Sequence, residues 1–232
     1  MNKSKTLLAV VIAIMLGGCG QMGSSPEEET EKTPAEMDPA DLPQIDAFQS
    51  EHSREMMVST EPVADGYYLM RSKIGAFTIW FPEEAVFMYN ASGVDGDHYE
   101  KLRFAYESEE ENWGYIADFE YFYSGSANRP ENKLERLRRR WDFEGEWKEL
   151  KDGKTTLYYG VKENETEYGL EVVIIGFKVY ESGVPQATEF SYIASCVDNN
   201  LDTCQVHLDE EEAFVRTWVE SIEYTQREEH DG

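Results

Sequence analysis

A chain of 232 residues with 47 acidic and 21 basic side chains carries a formal net charge of −26. A field of that sign repels polyphosphate backbones and anionic headgroups, so nucleic-acid binding is excluded and cations or basic partners are favoured. Hydrophobic residues make up 41% and aromatic residues 13%, enough for one packed domain plus a tail and too much for a chain disordered throughout.

The chain opens with Lys3 and Lys5, then an apolar run over residues 6–16, then Leu16, Gly17, Gly18 and Cys19. A bilayer-spanning helix needs about 20 apolar residues, so this run is too short, but it suits the hydrophobic region of a secretory signal peptide. Small residues followed at once by cysteine resemble the lipobox of bacterial lipoproteins. That resemblance implies that residues 1–18 are removed and that the Cys19 thiol carries a diacylglyceryl group. The new amino terminus is often acylated as well. The protein would then sit on the extracytoplasmic face of a membrane, held by lipid. On the residues alone, an ordinary secreted protein or an uncleaved anchor with an incidental cysteine remains the alternative.

Residues 19–45 are rich in glutamate, proline, glycine and serine and poor in apolar side chains. Such a stretch cannot bury enough surface to offset ordering entropy, so it is expected to be an extended acidic tether. A single domain is expected over residues 46–226, with a short disordered tail at 227–232. A short helix is expected over residues 45–57.

Within the domain, Phe77, Ile79 and Phe81 alternate with polar or edge positions up to Pro82, which ends a ladder. Residues 83–87 could start a helical turn. Leu102, Phe104 and Tyr106 form the next alternation. In Trp113–Tyr123 the odd-numbered residues are apolar and Asp118 and Glu120 lie opposite. Further strands are expected at residues 155–161, 168–180 and 187–195, the last two joined by a turn at 181–185. Short connections imply mainly antiparallel pairing. Two helices complete the pattern. One follows Pro130 with Leu134, Leu137 and Trp141 on one face; the other opens at Asp209 with Glu212 as a capping-box partner. In the second, Phe214, Val215, Trp218, Val219 and Ile222 line a stripe that must cover a sheet.

Four features bear on chemistry. Once Cys19 is assigned to lipid, Cys196 and Cys204 remain as an even pair across a turn-rich segment, and a disulfide is preferred to two free thiols. Asp198, Asn200, Asp202 and Asp209 echo calcium-loop spacing, but Thr203 stands where glycine is needed, so a plain turn is preferred and no metal site is expected. Lys133, Arg136, Arg138, Arg139 and Arg140 form the one basic cluster. Helical spacing puts Arg136, Arg139 and Arg140 away from the apolar stripe, as candidates for contact with an envelope protein partner. A solvated face with Glu135 pairing is the simpler expectation, and reversing these three charges would then change stability by about 1 kcal/mol or less. The aromatic strand Trp113–Tyr123 could bind glycan rings or peptide, but an amphipathic strand puts such rings in a core.

An early strand ending at Phe81 and Pro82, several antiparallel strands, a mid-chain helix and the closing helix 214–222 together resemble the PsbP-like domains of small bacterial lipoproteins. The resemblance implies an α+β fold, a mainly antiparallel sheet flanked by helices, and it carries over no catalytic residue. No GxSxG, HExxH, SxxK or phosphate-loop pattern occurs, and His52, His98, His207 and His230 have no motif partners. The expected role is a non-catalytic accessory or binding module of the cell envelope, without cofactor. A ligand- or cation-binding lipoprotein and an envelope hydrolase are the alternatives.

Overall fold

In the computed structural model, residues 32–123, 129–181, 185–198, 204 and 206–226 are described. The larger sheet is built on the segments whose alternation is strongest. Its strands are β4 (Val86–Phe87), β5 (Gly93–Asp95), β6 (Tyr99–Ser108), β7 (Trp113–Tyr123), β8 (Lys148–Asp152), β9 (Thr155–Thr166), β10 (Gly169–Tyr180) and β11 (Gln186–Cys196). They run in the order β4-β6-β7-β11-β10-β9-β8, with β5 paired to β6, and every pairing is antiparallel. A smaller antiparallel sheet has the order β1-β2-β3-β12, from β1 (Met57–Ala64), β2 (Tyr67–Arg71), β3 (Phe77–Pro82) and β12 (Glu223–Tyr224). The helices are α1 (Asp46–Gln49), α2 (Glu51–Arg54), α3 (Pro130–Trp141) and α4 (Leu208–Glu220). The fold is α+β, with antiparallel sheets flanked by helices.

The central strand β10 explains the layering. Val172 and Ile174 belong to one apolar cluster, while Val173, Ile175, Phe177 and Val179 belong to another. A strand covered on both faces reads as a continuous apolar run, which is how residues 172–177 read in the sequence. On one face lie the smaller sheet and α4, which touches β10, β9 and β3. Trp218 of α4 is fully buried there, with ring centroids 4.9 Å from Phe119 and 5.1 Å from Phe104. Its indole Nε1 donates to the Trp80 carbonyl at 2.7 Å and so ties α4 to the smaller sheet. On the other face lies α3. Leu137 is buried, Leu134 and Trp141 pack beside it, and Phe143 just beyond the helix joins them. Phe143 lies directly on Gly160, where a Cβ would come within 2.4 Å of the ring; glycine is needed for that close approach.

Several expectations are corrected. The tether does not extend to residue 45. Pro34 and Leu42 are buried, Met37 and Ile45 pack on the core, and the compact unit begins at Lys32. Two proline-led 3₁₀ turns, Pro34–Glu36 and Pro39–Asp41, set the path. Gln49 Nε2 pins it by donating to the carbonyls of Pro39 at 3.1 Å and Pro43 at 3.0 Å. Residues 19–31 and 227–232 lie outside the described residues. The single helix expected over 45–57 is two turns, because Ser50 is extended at φ −78°, ψ 128°. Residues 83–87 form a turn and β4 rather than a helical start. Helix α4 begins one residue early, with His207 at its N-cap and no side-chain cap; Glu212 instead accepts from Lys148 at 2.5 Å and Tyr159 at 2.9 Å. There burial pushes the Glu212 carboxyl up, but those two donors outweigh it and hold it low.

Candidate functional site

Cys19 lies outside the described residues. Cys196 and Cys204 are disulfide-bonded, Cα atoms 5.5 Å apart and eight residues apart in sequence. The segment after Cys196 is also latched by Asn112, which is buried at a left-handed φ of 51°. Its carbonyl accepts from Val197 N at 3.3 Å and its side chain from Asp198 N at 2.8 Å. Loop-closure entropy for so short a loop gives about 2.5 kcal/mol, so Cys196→Ser with Cys204→Ser should lower the urea-unfolding free energy by that amount. Of the calcium-like quartet, Asn200 and Asp202 lie outside the described residues. Among the described residues no group of three carboxylate, histidine or cysteine side chains could hold a metal ion.

The basic helix is used internally. Arg136 and Arg140 both reach Glu189 on β11, whose side chain is only 6% exposed, and the Arg140 contact is 3.3 Å. Lys133 is buried with its Nζ 3.4 Å above the Phe122 ring, and burial brings its pKa down to about 8. Arg138 donates to the Phe143 carbonyl at 2.9 Å and closes the end of α3. Arg139 points outward and pairs with Glu135 at 3.7 Å. The expected outward triad therefore breaks up: the faces were set by backbone angle, but long arginine side chains reach sideways to the sheet. The aromatic strand behaves as core, with Tyr115, Ala117, Phe119 and Tyr121 all buried.

Among the described residues two broad concavities stand out. A groove of about 640 Å³ crosses the outer face of β6, β7 and β11, on the part of the sheet that α3 leaves uncovered. It is apolar, and Val86, Met88, Ile116 and Val197 are exposed along it.

The second, about 670 Å³, opens at one end of the domain and is lined by Glu84, Glu110, Glu111, Trp113, Glu210, Glu211 and Phe214. Three connections supply these residues: the turn after β3, the β6–β7 hairpin and the first turns of α4. Behind them stand tyrosines. Tyr192 donates a short hydrogen bond to Glu211, and its ring lies 5.1 Å from that of Tyr115. Tyr115 is 3% exposed and packs 5.5 Å from Phe214. Tyr67 closes the wall, with its ring 6.5 Å from Phe214. Glu111 accepts from Tyr106 and from Trp113 Nε1, both at 3.0 Å, which fixes the indole.

Burial dominates the electrostatics here. It raises the carboxyls of Glu84 and Glu211, against the opposing Tyr192 bond to Glu211. It also raises Tyr115 and Tyr192, with the neighbouring glutamates adding to the effect, and it lifts Tyr67 to about 12. Glu100 and Glu189, elsewhere in the fold, are likewise raised, first by burial. A raised folded-state pKa means that the native chain binds protons more tightly than the unfolded one. Stability should therefore climb as pH falls from neutral toward the unfolded glutamate pKa of about 4.3. Thermal unfolding at pH 5.5 and pH 8 checks this: the midpoint should be higher at pH 5.5.

Sequence reasoning passed over this cleft. One signal was present. Glu211 stands four residues before Val215 and seven before Trp218, in register with the buried stripe of α4, and it is itself 4% exposed. A carboxylate in an apolar stripe marks a place where burial is offset by a partner.

The chain thus has two antiparallel sheets closed by an amphipathic helix, with an acidic, aromatic cleft at the helix start. A family model described as "Putative lipoprotein YvcA" matches residues 43–223, and the chain belongs to that family. A relative of the same description from Bacillus subtilis (strain 168) is 30% identical over 223 residues, spanning 90% of this chain and 91% of its own. A solved structure from Bacteroides thetaiotaomicron VPI-5482 overlaps 68% of this chain and 48% of its own, at 11% identity and a TM-score of 0.42. That likeness is too distant to bear on the site. The family is one of lipoproteins by its description; the anchor, the role and the ligand are finer matters.

Proposed function

We propose that this chain is a non-catalytic binding module of the bacterial cell envelope, held on the extracytoplasmic face of the membrane by lipid on Cys19. The anchor is supported by the basic head, the short apolar run and Gly17-Gly18-Cys19 in a member of a lipoprotein family. We read the domain as PsbP-like, on the strand ending at Pro82, the mid-chain helix α3 and the closing helix α4.

The observation that carries the binding role is the cleft of Glu84, Trp113, Glu211 and Phe214. Its ionisable groups are acceptors when charged, and its walls are aromatic, a composition suited to a donor-rich, positively charged ligand. A thermal-shift series on the full-length protein tests the role. A ligand of this module should raise the unfolding midpoint with the logarithm of its concentration and be recovered unchanged. A ligand that is consumed would turn the reading to an envelope hydrolase, with a raised carboxyl such as Glu84 as the acid.

A second reading has one observation of its own. The uncovered groove bearing Ile116 and Val86 is an apolar surface of the kind that meets protein partners. Ile116→Lys should then remove a protein crosslinked in intact envelopes while leaving the cleft's ligand response unchanged.

A further inference from the structure

We propose that the apolar groove on the outer face of β6, β7 and β11 takes an acyl chain of a neutral or zwitterionic membrane lipid, laid along Val86, Ala105, Ile116 and Ile193. This goes beyond the binding role of the cleft and competes with a protein partner for the groove; it rests on the lipid anchor at Cys19. The register sets these four residues side by side on neighbouring strands, from the edge strand β4 inward. The floor is low because its residues are small. Ala105 carries one methyl group, and at Gly114 a Cβ would meet the Tyr106 carbonyl at 2.5 Å, so no side chain fits there. Met88 and Val197 stand exposed at the margins. The volume of about 640 Å³ falls within the roughly 300–1,000 Å³ of small-molecule sites.

Three observations choose the occupant. The first is that the floor has no backbone groups to offer. β6 pairs with β4 and β7, β7 with β6 and β11, and β11 with β7 and β10, so the amides and carbonyls beneath the groove are used in ladders. A peptide laid there would lose water from its own amides and carbonyls and find no partners. An acyl chain has none to pair. The second is charge. Among the described residues that line the groove, Glu107 alone is charged, and the chain as a whole carries −26, so an anionic headgroup is repelled. The third is the reach of the anchor. Lys32, where the compact unit begins, follows Cys19 by 13 residues, a length that spans about 45 Å at most. That keeps the groove near the leaflet that holds the lipid. The first helix of the domain also meets the groove's rim, because Asp46 accepts from Phe87 N at 3.3 Å, beside Val86.

Photocrosslinking tests this on full-length lipidated protein reconstituted into phosphatidylcholine vesicles that contain a phosphatidylcholine bearing a diazirine on one acyl chain. Flotation with the vesicles is read first. After irradiation, peptides carrying Val86 and Ile116 should hold the probe at least about fivefold more than the peptide carrying Leu150, which is exposed on β8. The mass of the probe separates these adducts from the protein's own acyl chains. Ala105→Phe fills the floor without adding charge, and Ile116→Glu puts a carboxylate on an exposed position. Each should cut groove labelling at least about fivefold while the unfolding midpoint stays within a few degrees. Equal labelling of the Ile116 and Leu150 peptides would mean chance contact with the bilayer and would overturn the inference. So would labelling unchanged in either variant that keeps its midpoint, or stronger labelling by an anionic phosphatidylglycerol probe. Absence of a groove adduct in protein that floats would defeat this inference alone, and a protein crosslink lost in Ile116→Lys would then give the groove to a protein partner. Protein that does not float would remove the anchor and this inference with it.

Discussion

Lys178→Met should lower the unfolding free energy by about 3 kcal/mol, the cost of orphaning two to three buried acceptors less the relief of a buried charge. Lys178 lies on β10 and is 5% exposed, and its Nζ donates to the carbonyls of Glu220 and Ile222 at 2.8 Å and of Val219 at 3.4 Å. Val219 and Glu220 are the last residues of α4, at the negative end of the helix dipole, and Ile222 lies just beyond it. One lysine therefore fastens the closing helix to the central strand and caps it. Burial lowers its pKa to about 8, against the pull of Asp152, Glu220 and Glu223. With a folded pKa below the unfolded value of about 10.4, the unfolded chain binds more protons between those two values. Wild-type stability thus gains from this group as pH rises through that window, and the variant does not. Urea unfolding at pH 7 and pH 10 should show the deficit widening at the higher pH.

Reversing Arg136 and Arg140 to glutamate should cost about 3 kcal/mol at pH 8, well beyond the small change expected of a solvated helix face. Both guanidiniums engage Glu189, which is nearly sealed from solvent, although the arginines themselves are about half exposed, at 53% and 52%. That exposure screens them and places the cost at the low end of the range for a broken buried pair. The Glu189 carboxyl is already raised by burial and would rise further in the variant. Because its folded pKa lies above the unfolded one, the lost stability should return as pH falls through that folded value. Adding Glu189→Gln to the double reversal should also restore most of it. Denaturation curves that match wild type at pH 8 would show that α3 is held by its apolar face alone.

What could be read from the sequence was what repeats. The strands β6, β7, β9, β10 and β11 announce themselves because one or both faces are buried over many residues, and α3 and α4 because their apolar stripes are long. The strands that went unseen lack that signal. Each residue of β8 is exposed, so it shows no alternation. The pairing of β1 with β2 shifts register around Pro62, which breaks the two-residue period. β4 and β12 are two residues each, too short for a period. The docking of residues 34–45 was hidden for another reason: few apolar residues suffice when prolines fix the path, and Pro34, Met37 and Leu42 are interrupted by Glu36, Asp38 and Asp41, with no helix or strand period. The cleft was illegible except at Glu211. Glu84, Tyr115 and Tyr192 come from distant parts of the chain, and only the sheet order β7-β11 with α4 laid across brings them together. The arginines show the converse limit. Helical angle placed them on an outer face, but the residue they contact, Glu189, is 49 positions beyond Arg140 and carries no mark in the sequence.

An anchor at Cys19 is central to the proposed role, and metabolic labelling with an alkyne fatty acid tests it most directly. Wild-type protein expressed in a bacterial host should take up the label, shift to the processed size and fractionate with membranes, since two or more acyl chains give durable attachment. Cys19→Ala should stay at precursor size without label. Label retained by Cys19→Ala, or wild-type protein processed yet unlabelled, would contradict the lipid anchor.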